Sequence, residues 1–263
     1  MALSDTLRFH RTLFATNLKA ALANRGAFWM NVVFMFVNDV IWFCMWGVFF
    51  AKYPTIGGFA LADMALLQGV LATAFGIVVV FAAGTRELAR MIADGDLDTF
   101  LTQPKSPLAH AIASRMMANG LGDVAYGVGL MATFANIDGT AWAWLPIGVV
   151  AGAVALASFG ILLHSIAFWA GHFQPLAKQA YEILITVTGY PDVLYGGIVR
   201  VALYTLLPAG LVAWLPAQLV RDPSLAHLAS VVGGAAGFAL AAILVFRAGL
   251  RRYESGSRFG SIS

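Results

Sequence analysis

Apolar residues run along this chain in blocks too long for one face of a soluble helix. The first, GAFWMNVVFMFVNDVIWFCMWGVFF, extends from Gly26 to Phe50. Others cover about 64–83, 116–137, 145–169 and 228–246. Two further blocks, Leu176 to Tyr190 and Ile198 to Leu219, flank the interruption YPDVLYGG. A bilayer core takes about 20 consecutive apolar residues per helix, so the blocks predict membrane-spanning helices. Ahead of the first block, Leu7, Phe14, Leu18, Ala21 and Leu22 fall within a fan of about 100° on a helical wheel, with Arg8 and Lys19 to one side. That pattern predicts an amphipathic helix lying in the membrane surface over residues 1–25.

Composition agrees with the pattern. The chain is 60% hydrophobic and only 11% charged, where a soluble domain carries roughly 25% charged residues. The net charge of +3 needs no nucleic acid, because basic loops on the cytoplasmic side are the rule in membrane proteins. Charge also bears on the number of crossings. If residues 176–190 and 198–219 both cross, there are seven passes; if one is re-entrant or interfacial, there are six. With six passes and the N-terminus inside, every Lys and Arg is cytoplasmic except Lys52, Arg200 and Arg221. A seventh pass would put the basic tail from Arg247 outside, against the positive-inside tendency. The predicted fold class is therefore all-α and polytopic, with both termini cytoplasmic. It comprises an interfacial amphipathic helix (1–25), a six-span domain (26–250) and a basic tail (251–263). Cys44, the only cysteine, excludes an intrachain disulfide and a cysteine-based metal site. The N-terminal segment lacks the continuous apolar core of a signal peptide and is expected to remain as structure.

Candidate chemistry is sparse. In DGDLDTFLTQP (94–104), acids stand at positions 1, 3 and 5 as in a calcium loop, but Thr99 and Lys105 occupy the positions where Gly and Glu are needed. The topology places this segment in the longest cytoplasmic loop, residues 84–115. There Arg86, Glu87 and Arg90 are expected to continue a helix out of the second span. Gly95 would end it, Asp96 would cap a short new helix, and Pro104 would stop that one. A helix standing off into the cytoplasm suits a docking surface, while a solvated turn remains open on composition alone. No GxxxxGK[ST] is present, so ATP-driven work would need a separate ATPase chain. His10, His110, His164, His172 and His227 show no paired-ligand spacing, and GxSxG is absent. His164 is expected to bond a neighbouring helix. Polar residues within the apolar blocks are Asn31, Asn38, Asp39, Asp123 and Glu182, each costly in hydrocarbon. Asp39, with Trp42 and Trp46 one and two turns on, could present an acid and indole faces to a cationic or aromatic solute. A purely structural bond with Asn38 is the other reading. Gly233 and Gly237 offer a GxxxG packing face.

The ordered set formed by the amphipathic N-terminal segment, GDLDTFLTQP, AFW (Ala167–Trp169), YPDVLY (Tyr190–Tyr195) and LLPAGLVAWLPA (Leu206–Ala217) resembles the membrane subunits of ABC type-2 exporters. The subgroup resembled is the one that includes viologen-exporter-like permeases. The resemblance covers nearly the whole chain. It departs at GHFQP after the fourth span and at the polar Thr102–Gln103 in the loop. It implies a permease in the bacterial inner membrane that exports a small hydrophobic or cationic amphiphilic solute, with a lipid-linked or polymeric substrate, or a scaffold role, as the alternatives. The implied partners are a cytoplasmic ABC ATPase dimer, a second permease chain (identical or related) and membrane lipid. No cofactor is expected on this chain, ATP and Mg belonging to the ATPase. The resemblance also favours residues 198–219 as an extracytoplasmic re-entrant hairpin. It assigns Arg86, Glu87, Arg90, Asp94, Asp96, Asp98, Phe100 and Leu101 to ATPase coupling; Asp39, Trp42, Trp46 and Asp123 are the candidates for the solute path.

Overall fold

The computed structural model describes residues 3–103 and 105–253, with side chains from residue 8 onward. α1 (Leu3–Leu22) leads into α2 (Arg25–Lys52), whose first turn is capped by Asn24 accepting the Ala27 N–H. α3 (Leu61–Phe81) follows, its start secured by Asp63 accepting the Ala60 N–H at 2.9 Å. A tight 3-10 turn, Ala83–Glu87, then leads to the short helices α4 (Leu88–Ala93), α5 (Asp98–Leu101) and α6 (Pro107–Ala113). After α7 (Gly120–Phe134), α8 (Leu145–Ser165) and α9 (Ala167–Ala170) form one helical run. α10 (Gln174–Thr188), α11 (Gly197–Thr205), α12 (Leu215–Arg221) and α13 (Leu225–Leu250) complete the chain. Pro104 and residues 254–263, which include Arg258, lie outside the described residues, as does the side chain of Leu7.

Among the described residues, four helical runs are long and apolar enough to cross a membrane: α2, α3, Ala141–Ala170 and α13. α11 and the helical run Gly210–Arg221 add a fifth if the pair counts as one span, but they are bent by 70°. The blocks at 116–137 and 176–190 form α7 and α10, of 15 residues each. At 1.5 Å per residue such a helix covers only about 22 Å, short of a core about 30 Å thick. α7 is shorter than its apolar block because the Met117 N–H bonds to the Val79 carbonyl of α3 at 3.2 Å instead of joining its own helix. At the far end Asn136 takes φ +47°.

The centre of the bundle is a seam between α3 and α7. Gly69 lies against Gly127 and Gly76 against Gly120, close enough that an added Cβ at Gly76 would sit 2.5 Å from the Gly120 carbonyl oxygen. Small residues let backbones approach within a membrane, where no hydrophobic drive brings helices together. Among the described residues, nothing packs in this way on the expected GxxxG face of the last helix. Gly233 and Gly237 meet nothing within 4 Å, and Gly234 packs on Leu211 instead.

Charged groups gather at two ends of the bundle. At one end, Arg221 pairs with Asp63 at 3.0 Å and donates to the Asn136 carbonyl. Nearby, the buried Asp192 carboxylate holds Arg200 and accepts the Tyr204 hydroxyl at 3.0 Å, tying α11 to the YPDVLY turn. Trp214 anchors the bent pair by donating to the Tyr190 carbonyl at 3.0 Å. The other end carries α1 and the loop from Ala83 to Arg115. The half-buried stripe of α1 includes Phe14, Asn17 and Leu18. Phe14 stacks on Phe81 at 5.0 Å, and Asn17 donates to the Ala113 carbonyl. α1 thus packs against its own chain.

Candidate functional site

Four helices each turn one face toward a common cavity of about 330 Å³. α2 contributes Asn38, Asp39, Trp42 and Trp46; α3 contributes Gln68, Leu71 and Phe75; α7 contributes Asp123 and Tyr126; α10 contributes Glu182, Ile185 and Thr186. On each helix the lining residues recur three or four apart, the spacing that puts side chains on one face. Tyr190, just beyond α10, closes the wall and meets the Trp46 ring at 5.7 Å. All four sequence candidates for the solute path, Asp39, Trp42, Trp46 and Asp123, therefore border one space.

The two acids come from different helices. Gly122 permits this, since an added Cβ there would lie 2.3 Å from the Val32 carbonyl oxygen of α2. Asp123, next along α7, is 2% exposed. Its carboxyl group and that of Asp39 border the same cavity, and the Oδ2 atom of each is buried with no hydrogen-bond partner among the described residues. Asn38 reaches Asp39 Oδ1 only at 3.5 Å, the outer limit of a hydrogen bond, so Asn38 does not satisfy the acid. Tyr126 donates to Gln68 Oε1 at 3.2 Å and ties α7 to α3 beside the pair.

The cavity adjoins the charged loop. Glu182, expected inside the fifth span, is half exposed and forms an ion pair with Arg86. The Arg86 guanidinium also lies 5.7 Å from the ring centres of Phe75 and Tyr181, so a loop residue touches both Glu182 and Phe75 of the cavity wall. Glu87 accepts from Arg90 at 3.0 Å and lies 3.6 Å from Lys178 of α10. Burial pushes the Glu87 carboxyl up, but the Arg90 hydrogen bond and the Lys178 charge outweigh it and hold Glu87 below its ordinary value. Arg90 also contacts Asp94 and Asp96, each at 3.3 Å.

The loop differs from its expected form in three respects. Arg86, Glu87 and Arg90 do not continue α3. The helix stops at Phe81, and the Thr85 hydroxyl bonds to the Ala82 carbonyl inside the turn. Gly95 does end α4, at φ +82°, but Asp96 does not cap α5. Leu97 takes that place, leaving the Asp96 carboxylate to Arg90. Nor does the segment stand off the bundle. Leu97 is fully buried in a second core cluster with Leu88, Phe168 and Phe246, and Phe100 packs on that cluster and on His110 at 4.7 Å. Asp98 faces Tyr253, and Leu101 is 39% exposed. His164, fully buried in α8, accepts the Ala89 N–H of α4 at 3.4 Å and so joins loop to bundle.

Sequence reasoning passed over Gln68, Tyr126, Tyr190 and Lys178. The signal that marks the first two is the recurrence of a polar group on one helical face, Gln68 with Leu71 and Phe75, and Asp123 with Tyr126.

No curated protein matches the chain. The family model described as ABC-2 family transporter protein matches residues 36–257, which takes in every helix from the middle of α2 to α13 and both groups of site residues. Members of that family are membrane permeases that work with an ABC ATPase, and this chain, a multi-pass helical membrane protein, belongs to it.

Proposed function

We propose that this chain is the permease of an ATP-driven exporter that moves small cationic or aromatic amphiphiles out of the cytoplasm or inner leaflet. The observation that carries this reading is the cavity itself. Asp39, Asp123 and the rings of Trp42, Trp46, Tyr126 and Tyr190 border one space, and a carboxylate among aromatic faces attracts organic cations by charge and by cation–π contact. α7 and α10 serve as two short crossings, making six passes, and the bent α11–α12 pair enters and leaves on the extracytoplasmic side of a bacterial inner membrane. Both termini then face the cytoplasm. An ATPase dimer docks on the loop around Arg90, Asp94 and Asp96. Arg86 transmits its motion to the cavity through Glu182 and Phe75, which it touches. A second permease chain packs against the outward face of α2, where Trp29, Phe34, Ile41 and Val48 are exposed.

Export of a permanent organic cation and of a neutral aromatic, normalised to assembled complex, tests this. Asp39→Asn keeps the shape and removes the charge. Cation export should fall about five- to thirtyfold, the equivalent of about 1–2 kcal/mol of lost attraction, while neutral export persists. Equal cation export by wild type and Asp39→Asn would remove Asp39 from the path and leave the hydrogen-bonding role, in which Asp39→Leu lowers assembly.

A further inference from the structure

An ionised carboxylate only accepts hydrogen bonds; a carboxylic acid also donates one. Asp39 and Asp123 border one cavity, each with a buried, unpartnered Oδ2, so a proton held on one lets it donate to the other, whereas two bare charges there would repel, as in carboxyl dyads that share one proton. Among the described residues, nothing else at the site replaces that proton. On α2, Asn38 barely reaches Asp39. On α3, Gln68 is neutral and is engaged by the Tyr126 hydroxyl of α7. On α10, Glu182 is occupied by Arg86 of the loop, which leaves the nearest cation already paired. Tyr190 offers a ring and a neutral hydroxyl.

We propose that this pair exchanges one proton for one organic cation, so that solute binding in the cavity is linked to proton release. This rests on the reading of the cavity as a cation path. In the resting site one carboxylic acid and one carboxylate carry a total charge of −1. When a monovalent cation enters between them, the O–H bond breaks, the proton leaves as hydronium through water at the cavity mouth beside half-exposed Glu182, and two carboxylates flank one positive charge. The site again carries −1. Net charge in a low-dielectric space is costly, and the exchange leaves the net charge of the site unchanged. A proton and a solute cation are thus competitors for one site, and acid closes the path to the solute.

The test is calorimetric titration of N-methylquinolinium, a permanent cation with no proton of its own, into the nucleotide-free assembled complex. It is run in two buffers of different protonation heat at the same pH. Exchange should release about one proton per cation bound, and affinity should weaken toward tenfold for each pH unit of acidification, the slope for one linked proton. Asp123→Asn should still bind the cation but release only a small fraction of a proton. Cation binding to wild type without proton release would overturn the exchange and leave the cation path standing. Absence of binding to wild type would overturn both. The wild-type measurement decides alone, so the outcome does not depend on whether the Asn variant assembles.

Discussion

The smallest features with functional reach are single ionisable side chains packed where a neighbour controls them. His110 in α6 is one. Burial holds its imidazole below the ordinary histidine value, and the charges of Lys105 and His10 lower it further. Phe9 of α1 meets this ring edge-on at 4.8 Å, and Lys105 lies 3.3 Å from the Phe9 ring centre. The sign follows from linkage. Since the folded state resists protonation, the unfolded state takes up more protons as pH falls below the ordinary value of about 6.5, and stability is lost toward acid. Packing of α1 on α6 should therefore loosen between pH 7 and 5, with faster backbone hydrogen exchange in α1. His110→Phe should abolish that dependence. Glu87 acts in a lower window, because its depressed carboxyl adds stability that disappears only below the ordinary carboxylate range.

At the scale of elements, close helix approach and buried anchoring separate residues that look alike. Gly76→Ala forces a Cβ to within 2.5 Å of the Gly120 carbonyl oxygen, whereas Gly233→Ala meets nothing. We expect the first to lower stability by about 1–3 kcal/mol, as overpacking does, and the second to leave the melting temperature unchanged. The charged loop divides in the same way. Asp94 and Asp96 are about half exposed, and each makes one contact to Arg90; surface pairs of this kind contribute about 0–1 kcal/mol. Asp94→Asn with Asp96→Asn should leave the permease folded and reduce co-purification of the ATPase. Leu97→Ala should cost about 2–5 kcal/mol, because Leu97 is fully buried in the cluster that seats the loop. Full ATPase association by the double Asn variant would make the acids a solvated turn.

At the scale of the whole molecule, charge segregation sets the expected sidedness. Arg86, Arg90, Lys178 and their acids lie around the loop end, and Asp63, Arg221, Asp192 and Arg200 around the other. In a Cys44→Ser background, Asp222→Cys, at a side chain 82% exposed, should react with an impermeant maleimide in intact cells. Asp96→Cys, 51% exposed, should react only after the membrane is opened. The reverse pattern would invert the orientation and with it the position of the ATPase.

Local periodicity alone determined that this is a helical membrane protein, that an amphipathic helix precedes the first span and that Gly95 ends a helix. Each follows from residues within a few turns of one another. Tertiary structure alone decided the rest. Asp39 and Asp123 look like two isolated polar residues until Gly122 lets α7 approach α2. Glu182 looks like a buried acid until Arg86 meets it from across the chain. GxxxG in α13 is the more conspicuous spacing, yet the tight seam uses Gly69, Gly76, Gly120 and Gly127 of α3 and α7. The length of α7 was likewise invisible, since Met117 gives its N–H to Val79 of another helix. In every case the deciding contact joins residues far apart in sequence, and its strength depends on a packing distance that no local pattern contains.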